Sequence, residues 1–149
     1  MLIGGSGDPV TFTPSIPTPS GDKEKTTILL VEPDVAVRIS IAEYLRDCGY
    51  HVIETRSAEE AVVVLESGRP VDIVFAEVQL PEMSGFDLAQ RVRASYPGTG
   101  GLLTYGTEGA AAKAGALCDG GPIAKPYAAA DVVRRIKLLR ESQRTRKPG

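Results

Sequence analysis

Glu32, Asp34, Glu77 and Lys125 are the residues whose type and position could do chemistry. Each stands at or just past the end of a short apolar run. Glu32 and Asp34 follow Thr27-Ile-Leu-Leu-Val31, Glu77 follows Val71-Asp-Ile-Val-Phe-Ala76, and Lys125 closes Pro122-Ile-Ala-Lys125. Carboxylates drawn together repel one another unless a cation sits among them. An all-oxygen set of this kind suits Mg2+, which is held by a few carboxylates and keeps several of its waters. Taken singly, an acid behind a strand is an ordinary helix cap, and Asp34 is placed to be one. Four charged groups behind three runs are harder to assign to capping alone. Little else in the chain competes. His51 is the one histidine, and Cys48 and Cys118 lack CxxC spacing, which leaves little material for a His/Cys zinc site or a Ser–His–Asp hydrolase.

The elements that must hold these groups follow from periodicity. Residues 27–31 are almost continuously apolar, as a strand buried on both faces requires. Behind them a helix carries Val37, Ile41 and Leu45 four apart on one face and stops at Gly49. His51-Val-Ile-Glu54 predicts a second strand. Ser57-Ala-Glu-Glu60 is a capping box for a helix bearing Ala61, Val64 and Leu65, which ends near Gly68 and Pro70. Residues 71–76 predict a third buried strand, and Ser84 or Gly85 opens a helix with Phe86, Leu88, Ala89 and Val92, closed by Pro97. Residues 102–105 fit a fourth strand, and the Ala/Gly-rich stretch 108–117 has the weakest helical face. Gly120-Gly121 precedes a short fifth strand over 122–125, and a last helix from about Ala129 carries Val132, Val133, Ile136 and Leu139. The pattern is (βα)5, an α/β doubly wound, five-stranded parallel sheet with helices on both faces. Such sheets bind ligands outside the carboxyl ends of their strands. Glu32, Pro33, Asp34, Glu77, Thr104, Tyr105 and Lys125 are thereby expected at one edge.

The chain's 149 residues predict one folded domain, and 42% hydrophobic with 24% charged residues is the balance of a soluble globular protein. Residues 1–25, dense in Gly, Pro, Ser and Thr, predict a disordered arm, residues 26–142 the domain, and residues 143–149 a basic flexible tail. Only seven residues follow position 142, so a stand-alone module without a fused output domain is expected. Before Arg134 there are 10 Lys/Arg against 18 Asp/Glu, and from Arg134 onward seven against one. That basic end lacks the interleaved aromatics that stack on bases, so no nucleic-acid partner is expected. No apolar run nears the roughly 18 residues of a membrane span, and no secretory h-region opens the chain. The expectation is a cytoplasmic protein with free thiols and no membrane partner. No GxxxxGK[ST] or GxGxxG follows the first strand, which argues against nucleotide binding.

Three stretches carry a resemblance: Ile28-Leu-Leu-Val-Glu-Pro-Asp34, the run from Val71 through Glu77 and Leu80-Pro-Glu-Met-Ser-Gly85 to Phe86, and Gly121-Pro-Ile-Ala-Lys-Pro-Tyr127. Over about residues 26–142 the chain resembles a response-regulator receiver domain of two-component signalling, a flavodoxin-like fold. The resemblance implies phosphorelay chemistry, in which a phosphohistidine donates its phosphoryl group to an aspartate at the end of the third strand. It also implies Mg2+ held by acids after the first strand, a Thr or Ser after the fourth strand that contacts the phosphoryl group, and a lysine that pairs with it. A cis peptide before Pro126 is implied as well. The implied partners are those of a two-component pathway: a histidine kinase, a phosphotransfer protein or a downstream target.

The sequence departs from the family pattern at the site itself. Glu77 occupies the acceptor position, and Pro33 stands where the family has its second adjacent acid, flanked by Glu32 and Asp34. Gln79 falls where the family uses a backbone carbonyl on the metal. The hydroxyl position can be read two ways. Setting Gly106 on the family's small residue makes it Tyr105, the preferred alignment, and the other leaves Thr104. Glutamate is one methylene longer than aspartate, which displaces the carboxylate by roughly 1 Å, and a misplacement of that order can cost about a hundredfold in rate. Pro33 removes a metal ligand. These departures imply a degenerate receiver that is not an enzyme. It would act through protein–protein contact without the usual phosphorylation, with Mg2+ at Glu32 and Glu77 weak or absent. The alternative is a working phosphoacceptor receiver that takes the group at Glu77 or a neighbouring acid.

Overall fold

A computed structural model of the chain describes residues 25–106 and 120–146. Residues 1–24 of the expected 1–25 arm, the weak helix at 108–117, Cys118 and residues 147–149 lie outside the described residues. The elements are β1 (Thr27–Val31), α1 (Val35–Asp47), β2 (His51–Thr55), α2 (Ala58–Glu66), β3 (Ile73–Glu77), α3 (Gly85–Ser95), β4 (Gly100–Tyr105), β5 (Ile123–Ala124) and α4 (Ala129–Arg146). All strand pairs are parallel, in the order β2-β1-β3-β4-β5. The chain leaves β1 toward β2 and returns past it to β3, so the winding reverses between β1 and β3. Crevices at such a reversal are where open α/β sheets place their sites.

Local sequence explains the elements. Every residue of β3 and four of the five in β1 are buried, as their continuous apolar runs require. The side chains of Asp34, Ser57 and Ser84 each accept the amide three residues on, at 3.0, 3.2 and 3.1 Å, and so start α1, α2 and α3. At α2 the reciprocal arm of the expected box is altered: Glu60 accepts the amide of Arg56, at 2.8 Å. Gly85 is fixed by close approach, because a Cβ there would stand 2.3 Å from the carbonyl oxygen of Glu77 and 2.8 Å from Cα of Val78. Helix α1 packs beside α4 and α2 beside α3. The expected stripe Val132, Val133, Ile136 and Leu139 is buried.

Several boundaries differ from the sequence pattern, among them β4, which starts two residues earlier than expected, and β5, which is shorter; two others share one physical reason. Strand β3 starts at Ile73, and α4 runs to Arg146, beyond the expected break at Ser142. Asp72 lies between these changes. Its carboxylate accepts the Thr27 amide at 2.8 Å and faces Arg140 at 3.4 Å. Its carbonyl accepts from Gly100 at 2.9 Å and from the Gln143 side chain at 3.0 Å. Arg140 in turn donates to Thr26 and to Gln143, at 3.1 and 2.7 Å. The last turns of α4 are therefore tied to the starts of β1, β3 and β4, and Gln143 belongs to the fold and not to a tail.

Candidate functional site

The switch-point crevice holds two buried glutamates, one from each of its strands. Glu32 follows β1 and Glu77 ends β3, and both are nearly inaccessible, at 4% and 6% exposure. Buried carboxylates of this kind persist only when paired and hydrogen-bonded. Lys125, just past β5, supplies the pairing, with its ammonium 2.8 Å from Oε1 of Glu32 and 2.8 Å from Oε1 of Glu77. The second oxygens are engaged as well. Oε2 of Glu32 accepts the Asp34 amide at 3.1 Å, and Oε2 of Glu77 accepts the Gln79 amide at 2.8 Å. Each glutamate thus curls back onto its own loop, two residues on, and gives its other oxygen to the same lysine.

Burial works against a charged Lys125, but its hydrogen bonds to Glu32 and Glu77 outweigh that and hold its pKa above the ordinary ammonium value. The Lys125–Pro126 peptide is cis, the isomer the resemblance implies. The next residue, Tyr127, tilts its ring at 56° against Phe75, centroids 5.9 Å apart. Burial pushes the Tyr127 phenol up to about 12, with the nearby Glu32 carboxylate adding to the shift and Lys125 opposing it.

Of the two candidate hydroxyls, the buried Thr104, and not the preferred Tyr105, is the one directed at Glu77 within the triad of Glu32, Glu77 and Lys125. Its Oγ1 lies 3.5 Å from Oε1 of Glu77 and 3.5 Å from the Ala76 carbonyl, the outer limit of a hydrogen bond. Tyr105 is half-buried and packs against the core, and its carbonyl accepts the Lys125 amide at 2.8 Å. Asp34 does not join the acidic pocket. It is exposed, with its carboxylate turned to the Val37 amide, because the helix start offers it an unpaired donor that the crevice does not. Among the described residues, no group of three or more His, Cys, Asp or Glu could hold a metal ion.

Arg38 supports the site although its position in the motif pattern does not single it out. It donates to the Glu32 carbonyl at 2.8 Å and lies 3.5 Å from the Glu54 carboxylate. A signal was available: positions 38, 41, 42 and 45 form one helical stripe whose other three members are buried. A charge on a buried stripe needs a polar partner, and here the partner is the backbone that carries Glu32.

Two carboxylates and a lysine thus meet at the switch point of a five-stranded parallel sheet, where open α/β sheets place their sites. The sequence matches the response regulator receiver domain family over residues 28–137, and the chain belongs to that family. It is 31% identical over 122 residues to the probable transcriptional regulatory protein TcrX of Mycobacterium tuberculosis, covering 79% of this chain and 51% of that protein. The sensor kinase CckA of Brucella abortus is 32% identical over 120 residues, covering 78% of this chain and 13% of that one. The chain therefore spans about half the length, or less, of these curated relatives. The CheY-like receiver domain from Methanospirillum hungatei superposes with a TM-score of 0.76 at 24% identity, covering 83% of this chain and all of that one. The signal receiver domain of an HD domain-containing protein from Pseudomonas fluorescens gives 0.75 at 26% identity, covering 82% and 99%. The fold is the flavodoxin-like α/β receiver fold. Receivers act in two-component signalling, generally as signalling domains and not enzymes, and typically bind Mg2+ at the phosphorylation site. Among the described residues no helix is long and apolar enough to cross a membrane.

Proposed function

We propose that this chain is a degenerate receiver that works as a protein-interaction module in a two-component pathway, held in one state without phosphorylation at the acceptor position. The observation that carries this reading is the full engagement of Glu77: one oxygen on the Lys125 ammonium and the other on the Gln79 amide, both at 2.8 Å. Phosphoryl transfer depends on placing the attacking oxygen in line. The two donors fix the Glu77 carboxylate in one orientation, one methylene further from the strand than an aspartate would stand. In an ordinary receiver the added phosphoryl charge draws the lysine and the hydroxyl-bearing strand together. Here a permanent carboxylate holds Lys125 and faces Thr104 from the start.

The partner would be a protein of the pathway, a histidine kinase, a phosphotransfer protein or a downstream target, met in the cytoplasm. The surface beside the triad favours protein contact. Val35 and Ile39, one turn apart on α1, are 56% and 47% exposed, next to a groove lined by Ala36, Ser40, Pro126 and Tyr127. Hydrogen exchange on the whole chain tests the fixed state. Adding a small phosphodonor with Mg2+ should leave protection of the β3, β4 and β5 amides unchanged. A phosphodonor-dependent change at Thr104, Tyr105 or Lys125 would overturn the reading.

A further inference from the structure

The family's Mg2+ provides the comparison against which the donor set of this site can be tested. Mg2+ demands near-octahedral oxygen ligation at about 2.0–2.1 Å. The loop after β1 would supply part of that shell, but Pro33 has no donor side chain and Asp34 is committed to the start of α1. Glu32 and Glu77 remain, and all four of their oxygens already accept hydrogen bonds from Lys125, Asp34 and Gln79. The ammonium occupies the space between the two carboxylates, where a divalent ion would have to sit. To enter, the ion would face one positive charge at close range and break the two bonds by which the Asp34 and Gln79 amides hold the carboxylates. Two carboxylates and one ammonium leave a single negative charge at the site, too little to reward that displacement.

We infer that Lys125 is the resident cation of this site, so that the clasp formed by Glu32, Glu77 and Lys125 is complete without Mg2+ and excludes it. The inference rests on the fixed-state reading above and adds a statement about ligands to it. Glutamate, and not aspartate, is what the clasp requires at position 77. The extra methylene lets one carboxylate reach the Gln79 amide and the Lys125 ammonium together. Glu32 makes the same pair of contacts from β1, and the two curls give the clasp an approximate internal symmetry. Lys125 consequently pins three loops at once: those after β1, β3 and β5.

The test is a titration of the isotope-labelled full chain with Mg2+, and with Mn2+ as a paramagnetic probe, following the amides of Glu32, Asp34, Glu77 and Gln79. The wild type should show no saturable shift or broadening at millimolar ion. Pro33→Asp, at an exposed loop position, should gain saturable binding by restoring a ligand. Lys125→Gln, verified as folded by its own spectrum, should gain it by vacating the space between the carboxylates. Saturable wild-type binding as tight as that of Pro33→Asp would overturn the inference, and so would a folded Lys125→Gln that binds no better than wild type. Intact mass after phosphodonor treatment of the same samples separates the two claims. Mg2+ binding without phosphoryl uptake would defeat this inference alone, and uptake without Mg2+ binding would defeat the fixed-state reading alone.

Discussion

Replacing Lys125 with methionine isolates the energetics of the clasp. The substitution keeps most of the side-chain volume and removes the charge that faces Glu32 and Glu77. Their side chains are 5% and 7% exposed and that of Lys125 is 22% exposed, so water reaches the lysine more readily than the acids. Removing one partner of a buried pair typically costs about 3–5 kcal/mol, because the remaining charge stays buried without compensation. The partial exposure of Lys125 places the expected loss at the low end, about 3 kcal/mol. For a folded unit of this size, each kcal/mol shifts the melting temperature by roughly 3–5 °C, which gives a drop on the order of 10 °C. Thermal and urea unfolding at neutral pH, followed by far-ultraviolet circular dichroism, measure it. Adding Glu77→Gln in the Lys125→Met background removes one uncompensated charge and should recover about 1–2 kcal/mol. A Lys125→Met variant within about 1 kcal/mol of wild type, with no gain from the second substitution, would refute the argument that the two carboxylates depend on this lysine.

Other expected outcomes follow from the same contacts. Lys125 and Tyr127 both have raised folded-state pKa values, Tyr127 about 12 against an ordinary 10. The folded chain therefore holds more protons than the unfolded chain above pH 10, and stability should be fully present below that and fall as pH rises toward 12. Ultraviolet titration of the tyrosines should show late ionisation, from Tyr127 and from Tyr50, whose phenol burial also raises, and Tyr127→Phe should remove its latest part. Gly85→Ala places a methyl group 2.3 Å from the Glu77 carbonyl oxygen, where the neighbour is rigid backbone, and should cost about 3 kcal/mol in urea unfolding. Gln143→Ala removes the 3.0 Å bond to the Asp72 carbonyl and should cost about 1–2 kcal/mol, with faster hydrogen exchange at Thr27 and Gly100. A neutral effect there would mean that the last turn of α4 is not part of the fold.

Much of the fold was legible because the apolar runs are strongly written. β1 and β3 had to be buried on both faces, and Asp34, Ser57 and Ser84 each cap the helix they precede. Boundaries were less legible where long-range hydrogen bonds decide them. Asp72 interrupts an apolar run with a charge, a visible anomaly, but the spacing of residues near position 72 says nothing of Arg140 or Gln143, 68 and 71 positions away. At the site, strand order alone was enough to bring Glu32, Glu77 and Lys125 to one edge. Sequence could not say which oxygen meets which donor. That each glutamate folds back on its own loop is a rotamer choice, and it leaves the other oxygen of each carboxylate to meet Lys125. Asp34 shows the reverse case, since its ordinary capping role is the one the structure bears out.

The most direct test of the fixed-state account is phosphoryl uptake by the full chain, read as intact mass after incubation with a small phosphodonor and Mg2+. Wild type should remain unmodified. The double variant Glu77→Asp with Pro33→Asp, which shortens the carboxylate by the roughly 1 Å that transfer geometry cannot tolerate and restores a metal ligand, should take up one phosphoryl group at least about a hundredfold faster. Wild-type uptake at a rate equal to that of the double variant would contradict the account.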